Sequence, residues 1–186
     1  MSEHTTIHQD LDTIQRILEA RARVLARPPE TVSISDAAEL VVLVVGKERY
    51  GVAIEHVHEI QALNAAPTPV PGVPSHWVGL MNLRGRLYPV LDLGAFVTAT
   101  PFSAPAGSGR HGQVVLVSGA GLAVGLLVDD VPQVRQVARA EIGPPLSDTG
   151  GAKRQIVTGV TPDLLSLLDL ETLLSDPRLV VQDETI

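Results

Sequence analysis

The stretch VGLMNLRGRLYPVLDL, residues 78–93, is an apolar segment that turns at Arg84 and Gly85. Apolar, strand-forming residues on both sides of a short polar pair predict a β-hairpin. Gly85 suits the turn because a tight hairpin needs a residue that tolerates positive φ. Pro89 lacks a backbone donor, so we expect the second strand to lie at a sheet edge or to carry a bulge.

Two further segments show the same pattern of strand, turn and strand. Residues 40–54, LVVLVVGKERYGVAI, contain a polar turn at Lys47 and Glu48, and residues 113–128, QVVLVSGAGLAVGLLV, turn in the region 119–121. The glycines of GAGLAVG are spaced unlike those of a dinucleotide-binding loop, so we interpret them as a hairpin turn. Short strands without long helices between them predict small antiparallel barrels and not a parallel α/β sheet.

The two halves of the chain resemble each other. Residues 41–60, VVLVVGKERYGVAIEHVHEI, align with residues 114–134, VVLVSGAGLAVGLLVDDVPQV, with one gap, and YPVLDL at 88–93 aligns with LSLLDL at 165–170. Features that recur in the same order predict a duplicated half-domain. The alignment matches Gly51 with Gly125, Ile54 with Val128, Glu55 with Asp129, Val57 with Val131, Ile60 with Val134, and Gly79 with Gly159.

The duplication sets Arg84 apart. Between the aligned segments the first half carries MNLRGR, whereas the second half carries TPD and no arginine. Equivalent folding roles therefore do not require this side chain. It is either a solvated turn residue or a recognition group, whose guanidinium donates to carboxylates or helix-end carbonyls of a partner. We take recognition as the hypothesis.

Residues 1–36 differ in pattern from the rest of the chain. An amphipathic helix is predicted from about residue 10 to residue 26, and its apolar stripe consists of Leu11, Ile14, Leu18 and Leu25. Pro28 and Pro29 end this helix and open a linker. The stripe either packs on the chain's own core or docks on a partner helix. We expect an N-terminal extension over residues 1–36 and a barrel domain over residues 37–182.

Two other segments have a distinct composition. Residues 98–112, TATPFSAPAGSGRHG, predict a flexible bridge between the two halves. Near the end of the chain, DLETLL predicts a helical turn that begins after Asp169 as its N-cap.

Composition limits the functional classes. The chain has 186 residues, of which 45% are hydrophobic, enough for one domain or for two small barrels that share a core. No apolar run approaches the roughly 20 residues of a membrane helix, and the first residues lack the basic flank and apolar centre of a signal peptide. We therefore expect a soluble cytoplasmic protein without direct membrane insertion. The net charge of −7 and 3% aromatic content argue against a nucleic-acid partner and favour protein partners.

Two patterns suggest chemistry but do not complete a site. SDTGGA at 147–152 contains the Asp-Thr-Gly triplet of aspartic proteases, yet it follows GPPLS and not an apolar strand, which favours a surface turn. His56 and His58, with Glu59 nearby, lack an evident third metal ligand, and zero cysteines exclude disulfides and thiolate sites. We expect no catalytic residue, metal or cofactor. A ligand-binding or metal-dependent barrel is the alternative from another class.

Four segments taken in order make the chain resemble the CheW-like family, the coupling proteins of bacterial chemotaxis arrays. They are YGVAIEHVHEI, PTPVPGVPSHWVGLMNLRGRLYPVLDLG, VVLVSGAGLAVGLLVDDVPQV and TGVTPDLLSLLDLETLL, which together cover roughly residues 38–176. The resemblance implies a mainly β fold of two SH3-like five-stranded barrels around a shared apolar core, with short helices and no catalysis. It also implies a cytoplasmic adaptor that is recruited to membrane receptor arrays, where it bridges the cytoplasmic tip of chemoreceptors and the regulatory domain of a CheA-type histidine kinase.

The resemblance also implies which residues bind partners. The positions that match the family's functional ones are Val57, Glu59, Gly79, Arg84, Val131 and Val134. Judged alone, the valines are either core or interface residues, and Glu59 is either a solvated strand-end charge or part of the partner surface. The length of the N-terminal extension leaves open an adaptor of a dedicated surface or pilus-based motility array.

Overall fold

The computed structural model describes residues 36–98, 112–145 and 153–180. The predicted helix at 10–26, most of the predicted bridge at 98–112 and the predicted turn at 147–152 lie outside the described residues. The strands are β1 (Ala37–Val45), β2 (Glu48–Ala53), β3 (Val57–Ala62), β4 (Trp77–Leu83), β5 (Arg86–Asp92), β6 (Gln113–Gly119), β7 (Leu122–Val128), β8 (Asp130–Ala138), β9 (Val157–Val160) and β10 (Leu165–Leu168). The helices are α1 (Leu93–Thr98), α2 (Lys153–Ile156) and α3 (Leu170–Leu174), with 3₁₀ turns at Ile54–His56, Arg139–Glu141 and Pro177–Leu179.

The strands form two five-stranded sheets that each combine both halves of the sequence. Sheet A has the order β8-β1-β2-β10-β9, and sheet B has the order β3-β6-β7-β5-β4. In the duplication, β1 to β5 correspond to β6 to β10. Replacing each strand of sheet A by its counterpart reproduces the order of sheet B, so the two sheets are equivalent although neither is built from one half of the chain alone.

The strand register confirms the predicted duplication. Gly51 of β2 lies opposite Leu167 of β10 in a parallel pair, and its predicted counterpart Gly125 lies opposite Val90 of β5, also in a parallel pair. Val90 and Leu167 are the residues that the alignment of YPVLDL with LSLLDL matches. The two halves therefore agree in pairing partner as well as in strand order.

Both faces of the central strands are buried, which explains their continuous apolar runs. Val41 and Leu43 of β1 belong to a large core that residues of both sheets share. Leu40 and Val42 point the other way, into a smaller core inside sheet A. Sheet B has its own inner core, formed by Leu63, Val90, Val114 and Leu127. Successive side chains of a strand face opposite sides, so a strand between two cores needs apolar residues at every position.

Two of the three hairpin turns lie where the sequence predicts them, and the third is shifted by one residue. Arg84 and Gly85 have φ values of 51° and 83°, and Ala120 and Gly121 have φ values of 49° and 76°. Two successive residues with positive φ are typical of the type I′ turn that suits two-residue hairpins. The predicted turn at Lys47 and Glu48 is wrong by one residue, because β1 ends at Val45 and β2 begins at Glu48.

The predicted location of Pro89 at a sheet edge is wrong. Strand β5 lies between β4 and β7, and Pro89 lies opposite Leu80 of β4. The backbone groups of Leu80 bond to Thr68 instead, at 2.8 Å in each direction, so β4 needs no donor from Pro89. Pairing of β5 with β7 begins only at Val90. The missing N–H thus falls where neither neighbour uses it, and the irregularity of the β4–β5 pair lies in β4, between Trp77 and Gly79.

Equivalent aspartates cap equivalent helices. The carboxylate of Asp92 accepts from the backbone N–H of Ala95 at 3.0 Å, at the start of α1. The carboxylate of Asp169 accepts from the backbone N–H of Thr172 at 3.0 Å, at the start of α3, which confirms the predicted N-cap. Both aspartates are the last residue but one of the aligned segments YPVLDL and LSLLDL.

We expect Asp169→Ala to lower the free energy of unfolding by about 1 kcal/mol, because it leaves a backbone N–H of α3 without its acceptor. Urea denaturation of the full chain measures this loss. Asp169→Asn is the matched control, since an amide oxygen still accepts the bond. An equal loss in both variants would show that the charge matters and the cap does not.

Candidate functional site

The six predicted site residues divide between the two sheets. Val57 and Glu59 lie on β3, Gly79 lies on β4, and Arg84 lies in the β4–β5 turn, all in sheet B. Val131 and Val134 lie on β8, in sheet A. Strands β3 and β8 are counterparts in the duplication, and each is the first strand at the edge of its sheet. The predicted residues therefore mark equivalent edges of two sheets and do not form one cluster.

The valines of these edges have two different environments. Val57 and Val131, which the duplication matches, are partly buried and pack against the shared core. Val134 is 52% exposed and its counterpart Ile60 is 42% exposed. The first pair is therefore part of the packing of the fold, whereas the second presents an apolar side chain to solvent on each edge strand. Sequence reasoning matched Ile60 with Val134 but did not include Ile60 in the site.

Glu59 and Arg84 meet across sheet B. Nη2 of Arg84 donates to Oε1 of Glu59 at 3.1 Å, and the side chain of Arg84 is 80% exposed against 20% for Glu59. Gln61 also donates to Oε1 of Glu59, at 2.5 Å. An ion pair this exposed contributes at most about 1 kcal/mol to stability. The arrangement holds one edge of the guanidinium in place and leaves the rest of the group facing solvent, where it can donate to a partner.

Gly79 allows a neighbouring segment of backbone to lie close to β4. It is buried, its φ is 142°, and a Cβ placed on it would lie 2.1 Å from the carbonyl oxygen of Thr68. Thr68 pairs with Leu80 through two backbone hydrogen bonds. Gly79 thus permits the segment around Thr68 to pack onto β4, and any influence on a partner passes through that packing.

A second charged cluster lies at the β9–β10 turn of sheet A, which corresponds to the β4–β5 turn of sheet B. Oδ2 of Asp163 accepts from Nη1 of Arg135 at 2.6 Å and from Nη2 of Arg49 at 3.3 Å. Oδ1 of Asp163 accepts from the hydroxyl of Thr161 at 2.7 Å. Hydrogen bonds from Thr161 and Arg135 lower the pKa of Asp163 from 3.8 to about 2. Sequence reasoning missed this cluster, although TPD in place of MNLRGR was its one local signal.

This pKa shift gives a testable pH dependence. The folded state holds the proton of Asp163 more weakly than the unfolded state does, so its stabilising contribution is complete above about pH 4 and disappears as the pH falls through about 2. We expect acidification from pH 5 to pH 2 to lower the stability of the wild type more steeply than that of Asp163→Asn. Thermal melts across this range measure the difference. Parallel curves would mean that the unfolded chain has the same carboxyl pKa. The side chain is 40% exposed, so the expected difference is small.

His56 and His58 both contact Ser118. Nδ1 of His56 lies 3.0 Å from the carbonyl oxygen of Ser118, and Nε2 of His58 lies 2.5 Å from its hydroxyl. His56 ends the 3₁₀ turn before β3, and His58 lies at the irregular register between Val57 and Glu59, where β3 pairs with β6. Within the described ranges, no group of three or more His, Cys, Asp or Glu side chains is placed to hold a metal ion.

An apolar groove of about 640 Å³ opens beside β4, β5 and β7. Its lining includes Val70, Trp77, Leu80, Leu122, Leu174 and Val180. Nε1 of Trp77 is buried and has no hydrogen-bond partner among the described residues. Arg178 fixes the C-terminal wall, because its guanidinium bonds the carboxylate of Asp176 at 2.6 Å and lies 4.1 Å from the ring centroid of Phe96. The sequence offered no signal for this groove, since its walls come from separate parts of the chain.

The fold places the chain in a known family of domains. The model of the CheW-like domain family matches residues 39–178, and the chain therefore belongs to the CheW-like domain family. Among the described residues, none of the helices has the length and apolar character needed to cross a bilayer.

Relatives with this fold are chemotaxis proteins. The probable chemotaxis protein CheW of Rhizobium etli is 30% identical over 141 residues, which cover 74% of this chain and 88% of that protein. The chemotaxis protein CheW of Klebsiella aerogenes is 29% identical over 149 residues, covering 78% and 86%. The crystal structure of the scaffolding protein TtCheW from Thermoanaerobacter tengcongensis matches with a TM-score of 0.63 and 26% identity, covering 76% of this chain and 94% of that one. These matches confirm the predicted family, the two SH3-like barrel subdomains and the role of a chemotaxis coupling adaptor.

Proposed function

We propose that the protein is a non-catalytic cytoplasmic adaptor that binds the cytoplasmic tip of a chemoreceptor and the regulatory domain of a CheA-type histidine kinase, within a membrane receptor array. The observation that carries this proposal is that both sheets combine an exposed edge strand with a charged turn, although the charged residues of the two turns differ. Each edge strand presents an exposed apolar residue, Ile60 or Val134, and each sheet has a charged turn, with Arg84 or Asp163. A protein with two such edges can hold two protein partners at once.

The proposed partner residues have different roles. Arg84 and Val134 would contact a partner directly, because both are exposed. Glu59 would take part through Arg84, whose guanidinium its carboxylate accepts from and holds in place. Val57 and Val131 would support the edge strands from the core side, and Gly79 would hold the segment around Thr68 in place. We assign these roles to a domain at residues 37–182, preceded by the extension at residues 1–36.

Titration calorimetry of the full chain against the regulatory domain of the CheA-type kinase from the same genome tests the proposal. We expect micromolar affinity, about −8 kcal/mol, since many copies in an array act together and each contact can be weak. A second titration uses a soluble fragment of the receptor tip. A folded sample that binds neither partner at hundreds of micromolar would contradict the adaptor function.

A further inference from the structure

The β9–β10 turn of sheet A holds two arginines around one carboxylate. Arg49 comes from β2, Arg135 comes from β8, and both reach Oδ2 of Asp163. Arg49 also donates to the backbone carbonyl of Asp163. Three segments far apart in sequence therefore converge on this turn, and the contacts fix the positions of both guanidinium groups.

The positive charge of this cluster is not fully neutralised. Two guanidinium groups face a single carboxylate, which leaves an excess of one positive charge in a chain whose net charge is −7. Both oxygens of Asp163 are already occupied, Oδ1 by Thr161 and Oδ2 by the two arginines. Each guanidinium has five N–H donors, and among the described residues most of those of Arg49 and Arg135 have no acceptor. The free donors are therefore available to an acceptor from outside.

The residue that follows Asp163 presents an apolar side chain to solvent. Leu164 follows Asp163 and is 65% exposed. Its φ of 63° is a conformation that leucine rarely adopts and that costs energy. The backbone N–H of Leu164 bonds the carbonyl of Thr161 at 2.9 Å, which holds the turn with this side chain facing solvent. The duplication places an equally exposed leucine, Leu87, near the β4–β5 turn.

We propose that Arg49, Arg135, Asp163 and Leu164 form a docking surface, here called the crest patch, for an acidic residue of a partner protein that has an apolar residue next to it. Guanidinium groups held in advance bind a carboxylate with little further loss of side-chain entropy. Leu164 then covers the neighbouring apolar side chain. The net charge of the chain disfavours polyanions such as nucleic acid, so a single carboxylate suits the patch better.

This inference rests on the proposed function for its partner. If Arg84 on sheet B serves the receptor, the equivalent turn of sheet A is left for the kinase regulatory domain. The crest patch would then determine which acidic segment of that domain sheet A accepts.

A peptide titration tests the chemistry of the patch without either partner. The isotope-labelled full chain is titrated with the capped peptide Gly-Glu-Leu-Gly. A second titration uses the same peptide with glutamine in place of glutamate. Both are followed through the side-chain Nε–Hε NMR signals of Arg49 and Arg135. We expect the glutamate peptide to shift both signals and added salt to suppress the shift. Equal responses to the two peptides, or no response to either at millimolar concentration, would overturn the proposal.

Variants connect the patch to the kinase. Arg49→Gln and Arg135→Gln, separately and together, are titrated with the kinase regulatory domain, and Arg139→Gln is the control because it removes the same charge from an exposed residue just beyond β8. We expect the double variant to lose about tenfold or more in affinity and the control to change little. Unchanged affinity in a folded double variant would overturn the proposal. Failure of the wild type to bind the kinase would contradict the proposed function, and the peptide titration would still decide whether the patch binds a carboxylate.

Discussion

Gly79→Ala is expected to lower the free energy of unfolding by roughly 3–5 kcal/mol, from backbone strain and lost hydrogen bonds together. At a φ of 142° an alanine is strained whatever space surrounds it. A Cβ would also lie 2.1 Å from the carbonyl oxygen of Thr68 and 2.6 Å from its carbonyl carbon. These are main-chain atoms, so a change of rotamer cannot relieve the overlap.

The overlap is relieved only if β4 and the segment that carries Thr68 move apart. Two backbone hydrogen bonds of 2.8 Å join Thr68 to Leu80, and both must lengthen or break if the segment moves. Since a domain of this size is stable by roughly 5–15 kcal/mol, the substitution removes a large part of the total. Urea denaturation followed by circular dichroism measures the loss, and poor recovery of soluble protein would agree with it.

Two glycine variants are controls for this result. Gly85 also has a positive φ, of 83°, but nothing lies within 4 Å of a Cβ placed there, so Gly85→Ala should cost only about 1 kcal/mol. Gly159, the counterpart of Gly79, does not have a positive φ. Its Cβ would lie 2.4 Å from Cγ2 of Ile142, a side-chain atom, and 2.9 Å from the carbonyl oxygen of Gly143, so the overlap with the backbone is smaller than at Gly79. Gly159→Ala should therefore cost less than Gly79→Ala. A stable Gly79→Ala variant that has lost partner binding would make Gly79 a contact residue after all.

Much of the fold could be predicted because its signals are local. The hairpin at Arg84 and Gly85, the cap at Asp169 and the repeated glycines at 51 and 125 each depend on residues close in sequence or on a comparison of the two halves. The exchange of strands between the halves carried no such signal. Strands β1 and β6 are equivalent and have similar apolar patterns. The sequence therefore does not indicate that β3 pairs with β6 instead of β1, or that β8 pairs with β1 instead of β6.

The errors arise where long-range register decides the outcome. Because a proline interrupts a ladder, the sequence predicts that the strand of Pro89 lies at an edge or carries a bulge. The strand is internal, and the pairing of Leu80 with Thr68 removes the need for the missing donor. The cluster at Asp163 was missed because Arg49 is 114 residues away from it and Arg135 is 28 residues away. The duplication draws attention to Arg84 because the second half has no arginine at that position, and the same comparison draws attention to the aspartate of TPD.

Arg84→Asp is expected to weaken binding to the receptor tip by roughly thirtyfold, about 2 kcal/mol, while the fold persists. Reversing a charge at a contact replaces attraction by repulsion, and Arg84 is exposed enough to make that contact. Its φ of 51° is no obstacle, since aspartate is among the residues that tolerate this region. Loss of the exposed pair with Glu59 should cost at most about 1 kcal/mol of stability. Calorimetric titration and a thermal melt on the same sample separate the two effects.

Two variants distinguish recognition by Arg84 from a general effect of charge. Arg86→Asp makes the same charge change two residues away, on an exposed position of the same hairpin, and should reduce affinity far less. Glu59→Gln breaks the ion pair but keeps the guanidinium, so it should retain most of the binding if Arg84 itself contacts the receptor. If Glu59→Gln loses as much affinity as Arg84→Asp, the intact pair is what the partner recognises. If Arg84→Asp binds as well as the wild type, the arginine is a solvated turn residue, and its absence from the second half of the chain has no functional meaning.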